Sequence, residues 1–294
     1  MKEILSVILC LSLVFCAGCA ALPPQESTAP STEETVLSSQ PSEQLRPTEE
    51  STQQTQQPEP MEPTDAVPEP NPFRPTDFEY VDGYLTCTAA PAMLGVDVSK
   101  YQGDIDWQKV AAAGVEFAII RIGNRGYGAA GKISLDGYAM DNIAKAQAAG
   151  LQVGVYFYSQ ALNEAEAVEE AEFVLSALEG IELQLPVTFD WEIYENGDTK
   201  GRTYGMDGET VTLCAVAFCE TILAADRQAM VYFNPETAVD IFYLEKLLDY
   251  DFWLAAYDDA LTFPFKVDFW QYTSTGKVDG IQGNVDLNLA FRPQ

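Results

Sequence analysis

The chain has 294 residues, with 45 Asp and Glu against 16 Lys and Arg, no histidine, and a net charge of −29. So acidic a surface repels phosphate backbones, which counts against nucleic acid as a partner. The lack of histidine removes Ser-His-Asp and Cys-His catalysis and histidine-ligated zinc or iron, and leaves carboxylates to carry any acid–base chemistry.

Residues 1–19 combine a charged start (Lys2, Glu3), an apolar run from Ile4 to Phe15 and the small-residue ending Cys16-Ala17-Gly18-Cys19. This is the pattern of a secretory signal rather than a membrane span. The Ala-Gly-Cys ending resembles a bacterial lipoprotein cleavage site, in which Cys19 becomes the lipidated first residue. Such an anchor would hold the protein on the extracellular face of the cell membrane; an ordinary cleaved signal, giving a secreted protein, is the alternative. Cys87, Cys214 and Cys219 would then remain, an odd and sparse set that is no disulfide framework. Cys214 and Cys219 read as small apolar packing groups on a helix.

Residues 20–77 are mostly Pro, Ser, Thr, Gln and Glu, with 11 acidic and 2 basic side chains and no aromatic residue before Phe73. A stretch of this kind cannot bury enough surface to order itself and is expected to be a solvated stalk. Residues 78–294, carrying a net charge of −20, are expected to form one domain.

From Met93 onward, strand and helix signals alternate. Leu94–Val98 reads as a buried strand, followed by a helix that Asp106 caps and Gly114 ends. Phe117–Ile122 and Ala139–Ala149 form the next pair. Val153–Tyr158 precedes a long helix entered at Asn163 with Glu166 three residues on, and continuing to Leu178. Pro186–Ile193 leads to a helix over Glu209–Ala225, and Met230–Phe233 to one starting at Pro235. Five such repeats argue for parallel strands with right-handed crossovers. Phe252–Tyr257, Val267–Thr273 and Val285–Phe291 read as strands too close together for intervening helices. The pattern predicts an α/β fold, a TIM-like barrel with five β/α units followed by three strands; an open doubly wound sheet is the other option.

Gly126-Tyr127-Gly128-Ala129-Ala130-Gly131 matches the dinucleotide fingerprint and, with Lys132, nearly matches a phosphate-binding loop. Both motifs need the last glycine to open a helix. Ile133-Ser134-Leu135-Asp136-Gly137 has no helical period, so a flexible loop over a cleft is expected instead.

Asp190-Trp191-Glu192 closes an apolar strand, and residues two apart on a strand face one side, about 6–7 Å apart. At the carboxyl end of a barrel strand they would lie on the active face. Two acids there repel when both are ionised, which raises one pKa as a general acid requires. An exposed acidic strand end bonded to loop amides or a metal remains the alternative. Asp97 ends the first strand, and Asp286 opens the last after Gln282-Gly283-Asn284; if the last two strands form a hairpin, Asp286 starts at the top rim, close to the first strand across the barrel's closure, although turn capping would also explain it. Tyr156 and Tyr158, Tyr232 and Asn234, Trp253 and Tyr257, and Trp270 and Gln271 alternate rings and amides through the same strand ends, as stacking on sugars would use. Trp107 is expected in the core.

Gly95-Val96-Asp97-Val98-Ser99-Lys100-Tyr101-Gln102-Gly103 with Ile105-Asp106-Trp107 resembles the opening signature of the family 25 glycoside hydrolases, the Chalaropsis-type lysozymes. The resemblance continues through Arg121-Ile122-Gly123, Gly154-Val155-Tyr156-Phe157, Asp190-Trp191-Glu192, Trp253-Leu254-Ala255-Ala256-Tyr257, Trp270-Gln271-Tyr272 and Val285-Asp286-Leu287-Asn288. It implies hydrolysis of the β-1,4 bond from N-acetylmuramic acid to N-acetylglucosamine in peptidoglycan glycan strands. It also implies Glu192 as general acid, Asp190 on the substrate's 2-acetamido group, Asp97 and Asp286 completing an acidic cluster, and Arg121, Tyr156, Tyr232 and Tyr257 as cleft residues. Because such enzymes use the acetamido oxygen in place of a protein nucleophile, carboxylate spacing alone does not set the stereochemistry. No cofactor or metal is expected, and a monomer is expected. The longer Asp-x-x-Asp-x-Asp-x-Glu array of chitinases is absent before Glu192, where Gln184 to Thr188 are mostly apolar. A barrel that binds wall glycan without cutting it is the alternative from another class.

Overall fold

The computed structural model describes residues 66–291. The chain divides between Glu59 and Pro60, and every described residue belongs to the C-terminal unit. The signal, Cys19 and residues 20–65 of the stalk lie outside the described residues.

The packed structure begins before residue 78. Asn71 donates from Nδ2 to the carbonyls of Leu261 (3.0 Å) and Phe263 (2.9 Å), and the Lys266 amide donates to the Glu69 carbonyl at 2.7 Å. Phe73 lies against Phe291 with ring centroids 4.6 Å apart. The boundary at residue 78 therefore moves to about Glu69, because the Asn71 amide, one aromatic ring and a few backbone bonds suffice to dock a Pro-rich strap that composition alone assigns to solvent. A hairpin that was not expected follows: β1 (Phe78–Val81) and β2 (Tyr84–Cys87) pair antiparallel around Asp82 (φ 51°) and Gly83 (φ 90°). Two successive positive φ values make the tight turn whose twist suits a two-residue hairpin.

The barrel strands and their connections then alternate. β3 (Met93–Val98) leads to α1 (Trp107–Ala112), and β4 (Phe117–Arg125), with the short antiparallel β5 (Ile133–Leu135) on its edge, leads to α2 (Ala139–Ala148). β6 (Gln152–Ser159) precedes α3 (Glu164–Ala177); β7 (Val187–Trp191), after a small hairpin of β8 (Glu195–Asn196) and β9 (Thr199–Lys200), precedes α4 (Gly208–Ala224). β10 (Ala229–Phe233) is followed by the short α5 (Pro235–Asp240), and β11 (Asp251–Ala255), β12 (Phe269–Gly276) and β13 (Val285–Ala290) complete the chain. Short polar side chains start the helices, Asp106 and Asn163 as their sequence positions predict. Asp106, Asn163, Asp207 and Asn234 each accept the amide three residues on, offsetting donors left unpaired at a helix start.

Eight strands close in the order β3-β13-β12-β11-β10-β7-β6-β4, with β3 pairing β4 to seal the ring. Neighbours from β3 through β12 run parallel; β13 runs antiparallel to both β12 and β3. An open doubly wound sheet is excluded by that closure. Side chains alternate across each strand. One set faces the helices, where Phe157 and Phe189 meet Phe218 of α4 at centroid distances of 6.5 and 5.4 Å. The other fills the interior with Met93, Phe117, Ile119, Met230, Trp253 and Phe269. Trp107 is buried outside the barrel, donating from Nε1 to Asn142. Cys87, Cys214 and Cys219 are buried free thiols.

The interior is filled to the point that β3 carries no side chain at Gly95, where a Cβ would run into the ring of Phe117, itself edge-on to Phe269 at 5.6 Å. Gly95→Ala is expected to cost about 1–3 kcal/mol through overpacking. The urea midpoint should fall with an unchanged slope; an unchanged midpoint would mean the floor yields more easily than this packing implies.

Candidate active site

The inward set of side chains changes from apolar to polar toward the carboxyl ends of the parallel strands. On β3 it runs Met93, Gly95, Asp97; on β4 Phe117, Ile119, Arg121; on β10 Met230, Tyr232. Beyond Thr188, the parity of β7 gives Asp190 and then Glu192. The polar ends surround one cavity of about 260 Å³. Asp97, Arg121, Tyr156, Asp190, Glu192, Tyr232, Tyr257 and Asp286 all line it, with Tyr158, Trp253 and Gln271 from the ring-and-amide set. Asn234 and Trp270 of that set do not: Asn234 caps α5 by accepting from the Thr237 amide, and Trp270 is buried against Phe78. Cys19 lies outside the described residues.

Asp97 and Asp286 are direct partners across the β3–β13 pair. Asp97 Oδ2 accepts from Gln271 Nε2 at 2.7 Å and from Asn288 Nδ2 at 2.8 Å. Each amide is oriented in turn: the Tyr257 hydroxyl donates to Gln271 Oε1 at 3.0 Å, and Trp253 Nε1 to Asn288 Oδ1 at 2.9 Å. Asp190 pairs in register with Tyr158 on one side and Tyr232 on the other. Asp190 is buried, and its Oδ1 has no hydrogen-bond partner in the protein. A buried acceptor without a donor is costly unless a ligand supplies one. Arg121 reaches the cavity but is held by Asp136 Oδ2, through Nε at 2.8 Å and Nη2 at 2.6 Å.

Asp136, Asn288 and Tyr101 were not singled out as site residues. Asn288 carries a legible signal, a polar residue two positions after Asp286 and so on the same face of its strand. Asp136, in a turn before a helix, carries none, because its partner is fixed only by the β4–β5 hairpin. Tyr101 is 77% exposed yet lies across the Arg121 guanidinium, 5.1 Å from ring centroid to Cζ. Among the described residues, no group of three or more His, Cys, Asp or Glu is arranged to hold a metal ion.

The model of the glycosyl hydrolases family 25 matches residues 96–281. The chain belongs to this family. This family 25 chain is 26% identical over 206 residues to an autolytic lysozyme of Clostridium acetobutylicum, covering 67% of its own length and 55% of that protein. It is 26% identical over 204 residues to lysozyme M1 of Streptomyces globisporus, covering 66% of each. Among solved structures it is similar to the modular autolysin LytC from Streptococcus pneumoniae in complex with a synthetic peptidoglycan ligand. The TM-score there is 0.61 at 25% identity, with 72% of this chain and 51% of that one covered. The chain thus spans about half the length of the autolytic lysozyme and of LytC.

Electrostatics in the family 25 cavity follow from crowding four acids out of water. Burial first, then the charge of Asp286, pushes Asp97 well above the ordinary carboxylate range, against the lowering effect of its two amide donors. Burial and then Glu192 push Asp190 well up, and Arg121 opposes this only in part. Burial raises Glu192, while the Tyr232 hydroxyl beside it favours the ionised form. Asp286 is raised to about 6, by burial and then by Glu192. Such groups hold protons in the folded state that the unfolded chain has already released. Their contribution to stability is full below the unfolded pKa, near 4, and is lost as pH rises through the folded values. Stability should therefore fall as pH rises from about 4 to above 6. Asp286→Asn should flatten that slope and raise stability at pH 7 by about 1–2 kcal/mol, measured as urea midpoints between pH 4 and 8. An equal slope in the variant would show that Asp286 does not take part in it.

Proposed function

We propose that this protein is a peptidoglycan hydrolase, an N-acetylmuramidase that cleaves the β-1,4 bond between N-acetylmuramic acid and N-acetylglucosamine. The observation that carries this reading is the cavity in which Glu192 and Asp190 share one strand face opposite the Asp97–Asp286 pair, in a member of family 25. The likeness to LytC, solved with a peptidoglycan ligand, supports the choice of substrate.

In this reading Glu192 is the general acid. It keeps part of its surface open to the cavity while burial holds its proton, so it can protonate the glycosidic oxygen as the bond to the anomeric carbon breaks. Asp190 orients the 2-acetamido group: its unpartnered Oδ1 accepts the acetamido N–H and directs the acetamido oxygen at the anomeric carbon, where positive charge develops. Asp97 and Asp286 add negative potential on the opposite wall. Tyr156, whose hydroxyl burial keeps neutral, serves as a donor to sugar oxygens, and Tyr232 orients Glu192 through its hydroxyl, with Tyr257 on the rim and Arg121 fixing the side wall.

The test is release of reducing ends from purified peptidoglycan by the full chain and by Glu192→Gln. The parent should release muramic reducing termini, and the variant should be slower by about 10²–10⁴-fold, the range for loss of a general acid, with its melting temperature retained. A parent that binds glycan yet releases no termini across a pH series would sink the enzyme reading in favour of a glycan-binding protein.

The same proposal places the enzyme on the extracellular face of a bacterial membrane, through lipid on Cys19 and the acidic stalk, as a monomer. The signal-like residues 1–19 and their Ala-Gly-Cys ending support this. Cys19→Ser should move the protein from the membrane fraction to the medium; equal partition of parent and variant would leave a secreted enzyme.

A further inference from the structure

Beside the cavity that holds the carboxylates lies a second cleft of about 320 Å³. Tyr101, Arg121 and Tyr158 line both, so the two are parts of one trough. The added wall is aromatic. Tyr127 and Tyr194 stack with centroids 3.9 Å apart and an interplanar angle of 10°, and Tyr127 is 46% exposed. Neither ring is on a barrel strand. Tyr127 stands in the loop after β4, and Tyr194 in the segment before the β8–β9 hairpin.

The pair is fixed by backbone, not by chance contact. The amides of the consecutive residues Gly201 and Arg202 donate to the carbonyls of Tyr194 and Tyr127, each at 2.9 Å. The Arg202 guanidinium then anchors this junction to Glu166 of α3 at 2.9 Å, and Arg125 Nη1 holds the Gly131 carbonyl at the other end of the loop at 3.1 Å. The loop expected to be flexible is pinned at both ends. An irregularity in the β4–β6 register between Arg121 and Gly123 brings Asn124 onto the cleft wall, as a bulge that re-aims a side chain does.

Charge narrows what the trough would take. Two cations line the cleft, Lys100 and Arg121. Arg121 is committed to Asp136. Among the described residues, exposed Lys100 has no carboxylate within ion-pair distance, in a domain that is strongly acidic overall. Flat rings, an amide and one ammonium group that no carboxylate pairs, 5.5 Å from the Tyr101 ring centroid, form a surface for a pyranose that carries a carboxylate.

We infer that the Tyr127–Tyr194 cleft binds a further sugar of the same glycan strand, stacked on the tyrosine pair, and that this sugar is a muramic residue free of stem peptide, whose lactyl carboxylate is directed at Lys100. This rests on the hydrolase reading for the direction of the strand, but it can fail separately. The full chain carrying Glu192→Gln, which should bind without cutting, is titrated with three ligands. These are a peptidoglycan tetrasaccharide with free lactyl carboxylates, chitotetraose, which has none, and the peptidoglycan disaccharide.

The tetrasaccharides should bind more tightly than the disaccharide. Adding Tyr127→Ala or, independently, Tyr194→Ala should weaken both tetrasaccharides by roughly tenfold. Because the loop pins are backbone and arginine contacts, the melting temperature should hold. Lys100→Gln should weaken the peptidoglycan tetrasaccharide by a few-fold and leave chitotetraose unchanged. Tetrasaccharide affinity no higher than that of the disaccharide, or unmoved by both tyrosine changes, overturns the cleft as a sugar site. An equal effect of Lys100→Gln on the two tetrasaccharides overturns the carboxylate. If the parent chain releases no reducing ends while the tyrosine changes still weaken binding, the hydrolase reading fails and the sugar site stands.

Discussion

Asp97 accepts two amide hydrogens at the place where the barrel's antiparallel strand closes on its first strand, and the polar half of the interior is organised around that point. Through Gln271 and Asn288 the carboxylate ties β3 to β12 and β13; through Tyr257 and Trp253 the same network reaches the segment that starts with β11. Each such hydrogen bond contributes about 0.5–1.5 kcal/mol net, whereas a buried acceptor left without a donor costs about 1–3 kcal/mol. The network therefore both favours closure and fixes which side chains stand on the wall. It also sets Asp97 directly across from Asp286. Like charges in such a pair repel, so the geometry that closes the barrel concentrates protons at its mouth.

The two arginines near the mouth do not cancel that effect, because acids outside the cavity have already engaged them. Arg121 is taken by Asp136, and Arg125 by Glu169 at 2.8 Å and Glu170 at 2.7 Å. Glu170 is fully buried and raised to about 7 by burial, against the lowering effects of Ser159 and Arg125. Its oxygens accept from the Ser159 hydroxyl at 2.6 Å and the Gln160 amide at 3.3 Å. Gln160 then donates to the backbone carbonyl of Glu192 at 3.4 Å and accepts from Thr203 at 3.1 Å. A carboxylate that does not touch the cavity thus steadies the residue that does. Tethering the backbone at Glu192 matters because it lies just past the end of β7, where no ladder bond fixes its direction.

Much of this was legible in the sequence because a barrel strand obeys one rule, alternation. Asp97 could be read as inward from Met93 and Gly95, four and two positions before it, and Tyr232 from Met230, while absence of histidine made carboxylates such as Asp97 and Asp190 the candidates for chemistry. Asp286 needed one more step, the hairpin of the last two strands, which the structure has. What stayed hidden depends on long-range or irregular geometry. The Asp136–Arg121 pair follows from a three-residue edge strand, and the 69–77 strap from one phenylalanine in a Pro-rich segment. The β1–β2 hairpin was different: Asp82-Gly83 between two short strands is a legible turn signal, obscured by its place beside a segment that composition assigns to the stalk.

The Gly126–Gly131 motif shows how a signature can be real as a pattern and carry another physical meaning. A dinucleotide site needs its last glycine to pack a helix against a strand. Gly131 instead has φ 49°, and a Cβ there would run into the guanidinium of Arg202. Its missing side chain makes room for an arginine rather than for a pyrophosphate. Arg202 brings with it the amides that hold the carbonyls of Tyr127 and Tyr194, so the glycine is needed for two loops to meet. Backbone that approaches another element closely requires glycine whatever the purpose. The spacing of glycines therefore records close approach in both cases, and only the element that follows, here the short edge strand β5 rather than a helix, tells the two apart.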